Sequence, residues 1–129
     1  MRLYVDADII IDHLRGRSLA RQLISRFIAD GEQLWVAATQ RAEVLFHLRR
    51  GEEAAAYAIL AEFTTQPLTE AIVDVGAEYY RRWHPSHGTG REDALLAGTV
   101  ALTGGRLVTQ NIRHFPMPDI DVQQGWPTK

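Results

Sequence analysis

Residues 2–14 read Arg-Leu-Tyr-Val-Asp-Ala-Asp-Ile-Ile-Ile-Asp-His-Leu. Arg2 to Val5 is a short apolar run that stops at Asp6, after which Ile9, Ile10 and Leu14 recur at helical spacing until the Arg15-Gly16-Arg17 break. This predicts a buried strand, a polar corner bearing Asp6 and Asp8, and then an amphipathic helix.

The same alternation continues down the chain. Ser18 can cap a second helix with an apolar face of Leu19, Leu23, Ile24, Phe27 and Ile28, closed by Asp30-Gly31, and Gln33 to Ala37 is a second strand. Thr39 can cap a third helix carrying Ala42, Leu45 and Phe46, and Gly51 divides it from an alanine-rich helix over residues 52–63. A short strand is expected over residues 66–68. Thr69 then opens a helix to Arg82, and a polar loop at 84–90 leads to a helix over residues 91–102. Arg106 to Thr109 is a fourth strand, and Ile120 to Val122 a fifth at the sheet edge. Short apolar strands alternating with helices imply right-handed crossovers and an α/β fold, with a central parallel sheet of four or five strands and helices on both faces. In such sheets ligands bind beyond the carboxyl ends of the strands.

Asp6 follows strand one, Glu43 lies in the first turn of the helix after strand two, Asp93 in the first turn of the helix before strand four, and Asn111 just after strand four. All four can converge on one edge of the sheet. Carboxylates packed together raise one another's pKa, and a hard divalent cation that prefers oxygen relieves the repulsion. The expected ion is Mg²⁺ or Mn²⁺. Such an ion acidifies a bound water and stabilises charge on phosphate oxygens, which is the chemistry of phosphodiester hydrolysis.

Composition narrows the classes further. A chain of 129 residues with 46% hydrophobic and 23% charged residues has the size and balance of one globular domain, expected over residues 1–129. Zero cysteines exclude disulfides, zinc-thiolate sites and thiol nucleophiles. No apolar run approaches a membrane span, so a cytoplasmic protein is expected. A net charge of −2 argues against constitutive, non-specific nucleic-acid binding. Of the 14 basic residues only Lys129 is a lysine, so no internal lysine is available for catalysis.

Three blocks carry a resemblance: VDADIIIDHLRG at residues 5–16, QRAEVLFHLRRG at 40–51 and REDALLAGTVALTGGRLVTQNIRHF at 91–115. Together they resemble PIN-domain proteins, and within them the VapC-like toxins of type II toxin–antitoxin pairs. The resemblance implies an endoribonuclease that cuts structured RNA such as tRNA or rRNA, held silent by a cognate antitoxin and working as a homodimer. Carried over by position, Asp6 and Asp93 match the two central metal-binding aspartates, and Glu43 the acid that orients water or a second ion. Asn111 matches the fourth position, and Asp8 stands where the family has Asn or Asp. Thr109 resembles a polar position near the scissile phosphate, where its hydroxyl can bind metal-bound water or orient Asp6. Two departures stand out: Asn111 is neutral where many relatives have Asp, and Ala7 replaces a common hydroxyl residue, so one-ion and two-ion sites both stay open.

Each residue also has a plainer reading. Asp6 and Asp8 can cap a helix, and Glu43, Glu92 and Asp93 gain from the helix dipole. Asp12 can pair with Arg15 or Arg17, and Asp119 and Asp121 can flank an edge strand. The five histidines, His13, His47, His84, His87 and His114, include no i, i+4 pair of the metal-binding kind. Arg15, Arg17, Arg41, Arg91 and Arg113 can ring the acids and grip phosphates, or simply face solvent. Two rival functions follow: a haloacid-dehalogenase-like phosphatase using Asp6-Ala7-Asp8, which lacks the lysine that mechanism wants, and a catalytically degenerate PIN-like binding module.

Overall fold

Strand β1, Arg2–Val5, runs down the middle of a five-stranded sheet whose order is β3-β2-β1-β4-β5. The structure, a computed structural model, describes residues 1–128. Strands β2 (Gln33–Ala37), β3 (Thr64–Gln66), β4 (Arg106–Thr109) and β5 (Asp121–Gln124) all pair in parallel, with Leu3 opposite Leu34 on one side and Arg106 on the other. The chain builds outward from β1 through β2 to β3, then crosses to the other side for β4 and β5. The order therefore reverses between β1 and β4, and their carboxyl ends flank the crevice where open α/β sheets bind ligands.

Side chains alternate across the strands and feed two apolar layers. Leu3 and Val5 of β1, Leu34 and Val36 of β2 and Val108 of β4 face helices α1 (Ala7–Leu14), α2 (Ser18–Ala29) and α4 (Glu53–Leu60), meeting Ile10, Leu23, Ile24 and Leu60. Tyr4, Ala37 and Leu107 face the opposite layer, which holds Tyr79 of α5 (Glu70–His87) and Leu96, Ala97 and Val100 of α6 (Arg91–Thr103). Helix α3 (Ala38–Phe46) follows β2 directly. Helices α5 and α6 touch backbone to backbone: a carbon added at Gly98 would lie 3.0 Å from the Gly76 nitrogen.

Several local readings shift. Thr69 caps α5 as expected, its Oγ1 accepting from Ile72 N at 3.2 Å, a contribution of about 1 kcal/mol. Thr39 does not cap α3: the N-cap is Ala37, and the buried Thr39 hydroxyl has no hydrogen-bond partner. Arg17 stands at the N-cap of α2 in place of Ser18. Helix α5 continues past residue 84 through Pro85 to His87, and stops where Gly88 turns left-handed at φ 67°. Strand β3 lies at 64–66 because Thr64 pairs with Trp35 of β2, and β5 at 121–124 because Asp121 pairs with Arg106 of β4.

Candidate active site

Asp6 closes β1 and is 4% exposed. Its amide donates to the Val108 carbonyl at 3.0 Å, so pairing with β4 runs one residue beyond β1 itself. It occupies the N-cap position of α1, yet its carboxylate makes no capping bond. Oδ2 instead accepts from the buried Thr109 hydroxyl of β4 at 2.7 Å. Thr109 Oγ1 in turn accepts from the Asn111 amide at 3.0 Å, and Asn111 Nδ2 donates to Asp8 Oδ2 at 3.0 Å. The ends of β1 and β4 are thus tied by a continuous polar relay.

Asp93 is the third residue of α6, and its Oδ2 accepts from the Gly90 amide at 2.9 Å and faces His114 Nδ1 at 3.2 Å. Glu43 lies one turn further into α3 than the sequence reading put it. Its helix is held to the Asp6 corner by Gln40, 1% exposed, whose Oε1 accepts from the Ala7 amide at 2.7 Å. The structure brings Asp6, Asp8, Glu43, Asp93, Thr109 and Asn111 to the same sheet edge, and Asp8, Glu43 and Asn111 line one polar cleft of about 400 Å³. A second cleft of about 330 Å³ opens on the other side of Glu43, between α3 and α6.

Burial first, and then the neighbouring charges of Asp8, Asp93 and Glu43, push the Asp6 carboxyl up to about 7, against which the Thr109 hydrogen bond works. The Glu43 carboxyl is also raised, by burial and then by Asp8, Glu92 and Asp93, with His47 opposing. Five acids, Asp6, Asp8, Glu43, Glu92 and Asp93, therefore make this edge electrostatically unfavourable.

The donor set suits a hard cation. Each of Asp6, Asp8 and Asp93 has its Oδ2 tied to a protein donor, while Oδ1 takes part in no hydrogen bond among the described residues. Ordered carboxylates with one free oxygen are what Mg²⁺ or Mn²⁺ uses, with carboxyl repulsion relieved on binding. Among the described residues no group of three or more His, Cys, Asp or Glu side chains is already gathered closely enough to hold a metal ion. An ion here would complete its shell with water, as Mg²⁺ ordinarily does.

Of the five rim arginines, Arg15 lines the polar cleft and donates to the His47 carbonyl at 3.1 Å, and Arg91 lines the second cleft. Arg17 is paired with Asp12 at 3.1 Å, and Arg41 donates to Thr65 at 3.2 Å. Asp121 pairs with Arg106 at 2.8 Å, and Asp119 accepts from the Tyr79 hydroxyl. Burial, followed by this bond, pushes the Tyr79 phenol above its ordinary value. The contacts of Gln40 and His114 with the site were not foreseen: nothing in helical or strand periodicity marks a side chain that acts across the sheet edge.

Comparison with known proteins agrees with the fold. The PIN domain family matches residues 3–119. Ribonuclease VapC19 of Mycobacterium tuberculosis is 36% identical over 118 residues, 90% of this chain and 94% of the relative. Ribonuclease VapC10 of the same organism is 35% identical over 116 residues, 89% of this chain and 86% of the relative. Among solved structures, a toxin–antitoxin complex from Klebsiella pneumoniae superimposes with a TM-score of 0.79 at 20% identity, covering 98% of this chain and 99% of the other. VapBC2 from Rickettsia felis, bound to a promoter DNA fragment, gives 0.78 at 17% identity, covering 98% and 100%. These structures share the fold.

Proposed function

The chain belongs to the PIN-domain family, and we propose that it is a metal-dependent endoribonuclease of the VapC type, the toxin of a toxin–antitoxin pair. The likeness to two ribonucleases over nine-tenths of the chain supports the activity. The observation that carries the chemistry is the set of aspartates at the ends of β1 and α6, each pinned through one oxygen and open through the other.

Asp6 and Asp93 would hold the ion, with Glu43 and the Asn111 carbonyl oxygen at its margin, and Mg²⁺ or Mn²⁺ is the ion this all-oxygen set prefers. When bound, the cation supplies an acidified water as nucleophile and neutralises charge on the phosphate oxygens. Thr109 holds Asp6 in a single orientation so that its open oxygen stays in place. Glu43, whose carboxyl burial holds above its ordinary value, would take a proton from the attacking water. Arg15 and Arg91, one in each cleft beside Glu43, give the RNA backbone cationic contacts that the net charge of −2 conceals.

The substrate is RNA, with tRNA or rRNA as the expected class. The partners are a cognate antitoxin and a second copy of the chain, as the toxin–antitoxin complexes of like fold suggest. The working unit is residues 1–129 as one nuclease domain in the cytoplasm, where its RNA is. Among the described residues no helix is long and apolar enough to cross a membrane. The phosphatase alternative gains no support, because the described residues contain no lysine to neutralise a phosphate.

Purified, antitoxin-free protein incubated with total RNA and Mg²⁺ or Mn²⁺ should give discrete fragments whose 5′ ends can be mapped. Cleavage should vanish with EDTA and in the Asp6→Asn and Asp93→Asn variants. Intact RNA together with hydrolysis of small phosphate esters would overturn this reading.

A further inference from the structure

The 3₁₀ turn Ile112–His114 follows Asn111 and carries a histidine back over the start of α6. His114 Nδ1 lies 3.2 Å from Asp93 Oδ2, the oxygen that also accepts from the Gly90 amide. The backbone under His114 is fixed on three sides. Its carbonyl accepts from Thr89 Oγ1 at 2.8 Å, its amide donates to the Asn111 carbonyl at 2.9 Å, and the next residue, Phe115, is 4% exposed in the core. Thr89 itself is fully buried, and its own carbonyl lies 2.9 Å from His84 Nδ1.

A buried, bonded framework of this kind has little freedom, yet the imidazole that it holds is part-exposed and has Asp93 as its polar neighbour. We propose that His114 is a positioning residue for the cation site. Its Nδ1 edge, in contact with Asp93 Oδ2 at 3.2 Å, and the Gly90 amide, hydrogen-bonded to the same oxygen at 2.9 Å, together confine that oxygen, so that Oδ1 is the one presented to the ion. A carboxylate gripped by a single donor can rotate about its terminal bond, whereas a second group packed against the same oxygen restricts that rotation. The same turn also carries Asn111, whose side chain is bonded to Asp8. The segment after β4 therefore sets two edges of the site at once. This inference rests on the metal-dependent reading proposed above.

Calorimetry with Mn²⁺ alone, on the full chain free of antitoxin, tests it without any turnover assay. His114→Ala should weaken Mn²⁺ binding about 10- to 100-fold, the usual cost of losing a residue that supports a metal ligand. His114→Asn puts an amide N–H near the Nδ1 position and should bind close to the parent level. His114→Gln reaches instead to the Nε2 position and should behave like the alanine variant. Urea unfolding in EDTA, run beside these, reports any loss of fold separately. Unchanged Mn²⁺ affinity in His114→Ala, with only a lower unfolding midpoint, would reduce His114 to a staple between the turn and α6. Equal behaviour of the Asn and Gln variants would also overturn the proposal. A parent protein that takes up no Mn²⁺ would overturn the metal-dependent reading and this inference with it, whereas normal parent binding with an indifferent His114 overturns this inference alone.

Discussion

Two charges stand four positions apart, Arg2 at the start of β1 and Asp6 just past its end, and their surroundings are opposite in kind. The Arg2 guanidinium lies over the Trp35 ring, 3.6 Å from its centroid, and donates to the Tyr4 hydroxyl at 2.9 Å and to Gln66 at 3.0 Å. Tyr4 continues to Thr103, 2.7 Å away, and Thr103 donates to the Thr99 carbonyl at 2.7 Å. Every group along that line has its partner within the protein. Asp6 is more deeply buried, and one hydroxyl is set against three other acids. One charge stabilises the sheet as it stands. The other is disfavoured in its ionised form as the protein stands, and on the proposed reading a cation would relieve that cost.

The strongest test of that contrast is Asp6→Asn, for which stability and activity should move in opposite directions. RNA cleavage should fall about 10²- to 10³-fold, the cost of removing one preorganised charge-stabilising group. The folded-state carboxyl titrates near 7 against an ordinary 3.8, so the native state holds its proton more tightly than the unfolded chain. In metal-free protein this group's contribution therefore falls as pH rises from about 4 through about 7. Above that window the ionised form costs on the order of 4 kcal/mol. Urea unfolding in EDTA at pH 5 and pH 8 should show the loss in the parent and little of it in Asp6→Asn. Equal pH slopes in both proteins would mean that the two ends of β1 do not differ in this way.

Thr109→Val should come next in size. It removes the sole interaction that draws the Asp6 carboxyl down, so protons compete better with the ion. Mn²⁺ affinity at pH 7 should fall about 10- to 100-fold and recover as pH is raised, a trend visible by calorimetry at pH 6, 7 and 8. A loss that did not depend on pH would assign Thr109 to packing.

How much of this contrast was legible beforehand depends on the range of the interaction. Strands β1 and β4 and the acids beyond them could be read locally, because an apolar run that ends in a polar residue is a short-range pattern. The position of β3 could not, because Thr64 is placed by pairing with Trp35 rather than by its own neighbours. Nor could the extension of α5 through Pro85. A proline in the last turn sacrifices a single backbone bond, and the helix runs on to Gly88, which is able to turn left-handed. Within the site the acids stood out as residue types. The groups that hold them did not stand out as types: Thr109, which reaches Asp6 across 103 positions, was suggested only by the family resemblance, and Gln40, which reaches Ala7 across 33, by nothing in the sequence.

On the satisfied side, Arg2→Ala should cost about 1–3 kcal/mol of unfolding free energy, from the lost stacking on Trp35 and the orphaned Tyr4 and Gln66 groups. Mn²⁺ affinity should not move. A shift in metal binding comparable to that of Thr109→Val would show that the two ends of the strand are coupled, and the contrast between them would fail.

The smallest effect separates charge from exposure. Asp121 and Asp8 are both exposed acids, and each makes one polar contact to a residue at β4 or just beyond it: Asp121 to Arg106 at 2.8 Å and Asp8 to Asn111 at 3.0 Å. With side-chain exposures of 38% and 52%, the Arg106–Asp121 pair is well solvated. Asp121→Asn should therefore change unfolding free energy by only about 0.2–1 kcal/mol and leave Mn²⁺ binding untouched. Asp8→Asn should do as little to stability. It should nevertheless weaken Mn²⁺ binding roughly tenfold, because it takes a charge from the cluster that a divalent ion would neutralise. If the two variants bind Mn²⁺ alike, proximity to the ends of β1 and β4 is not what gives an acid its role. If only Asp8→Asn loses affinity, the functional difference lies in which end of the sheet the charge occupies, and solvent exposure has no part in it.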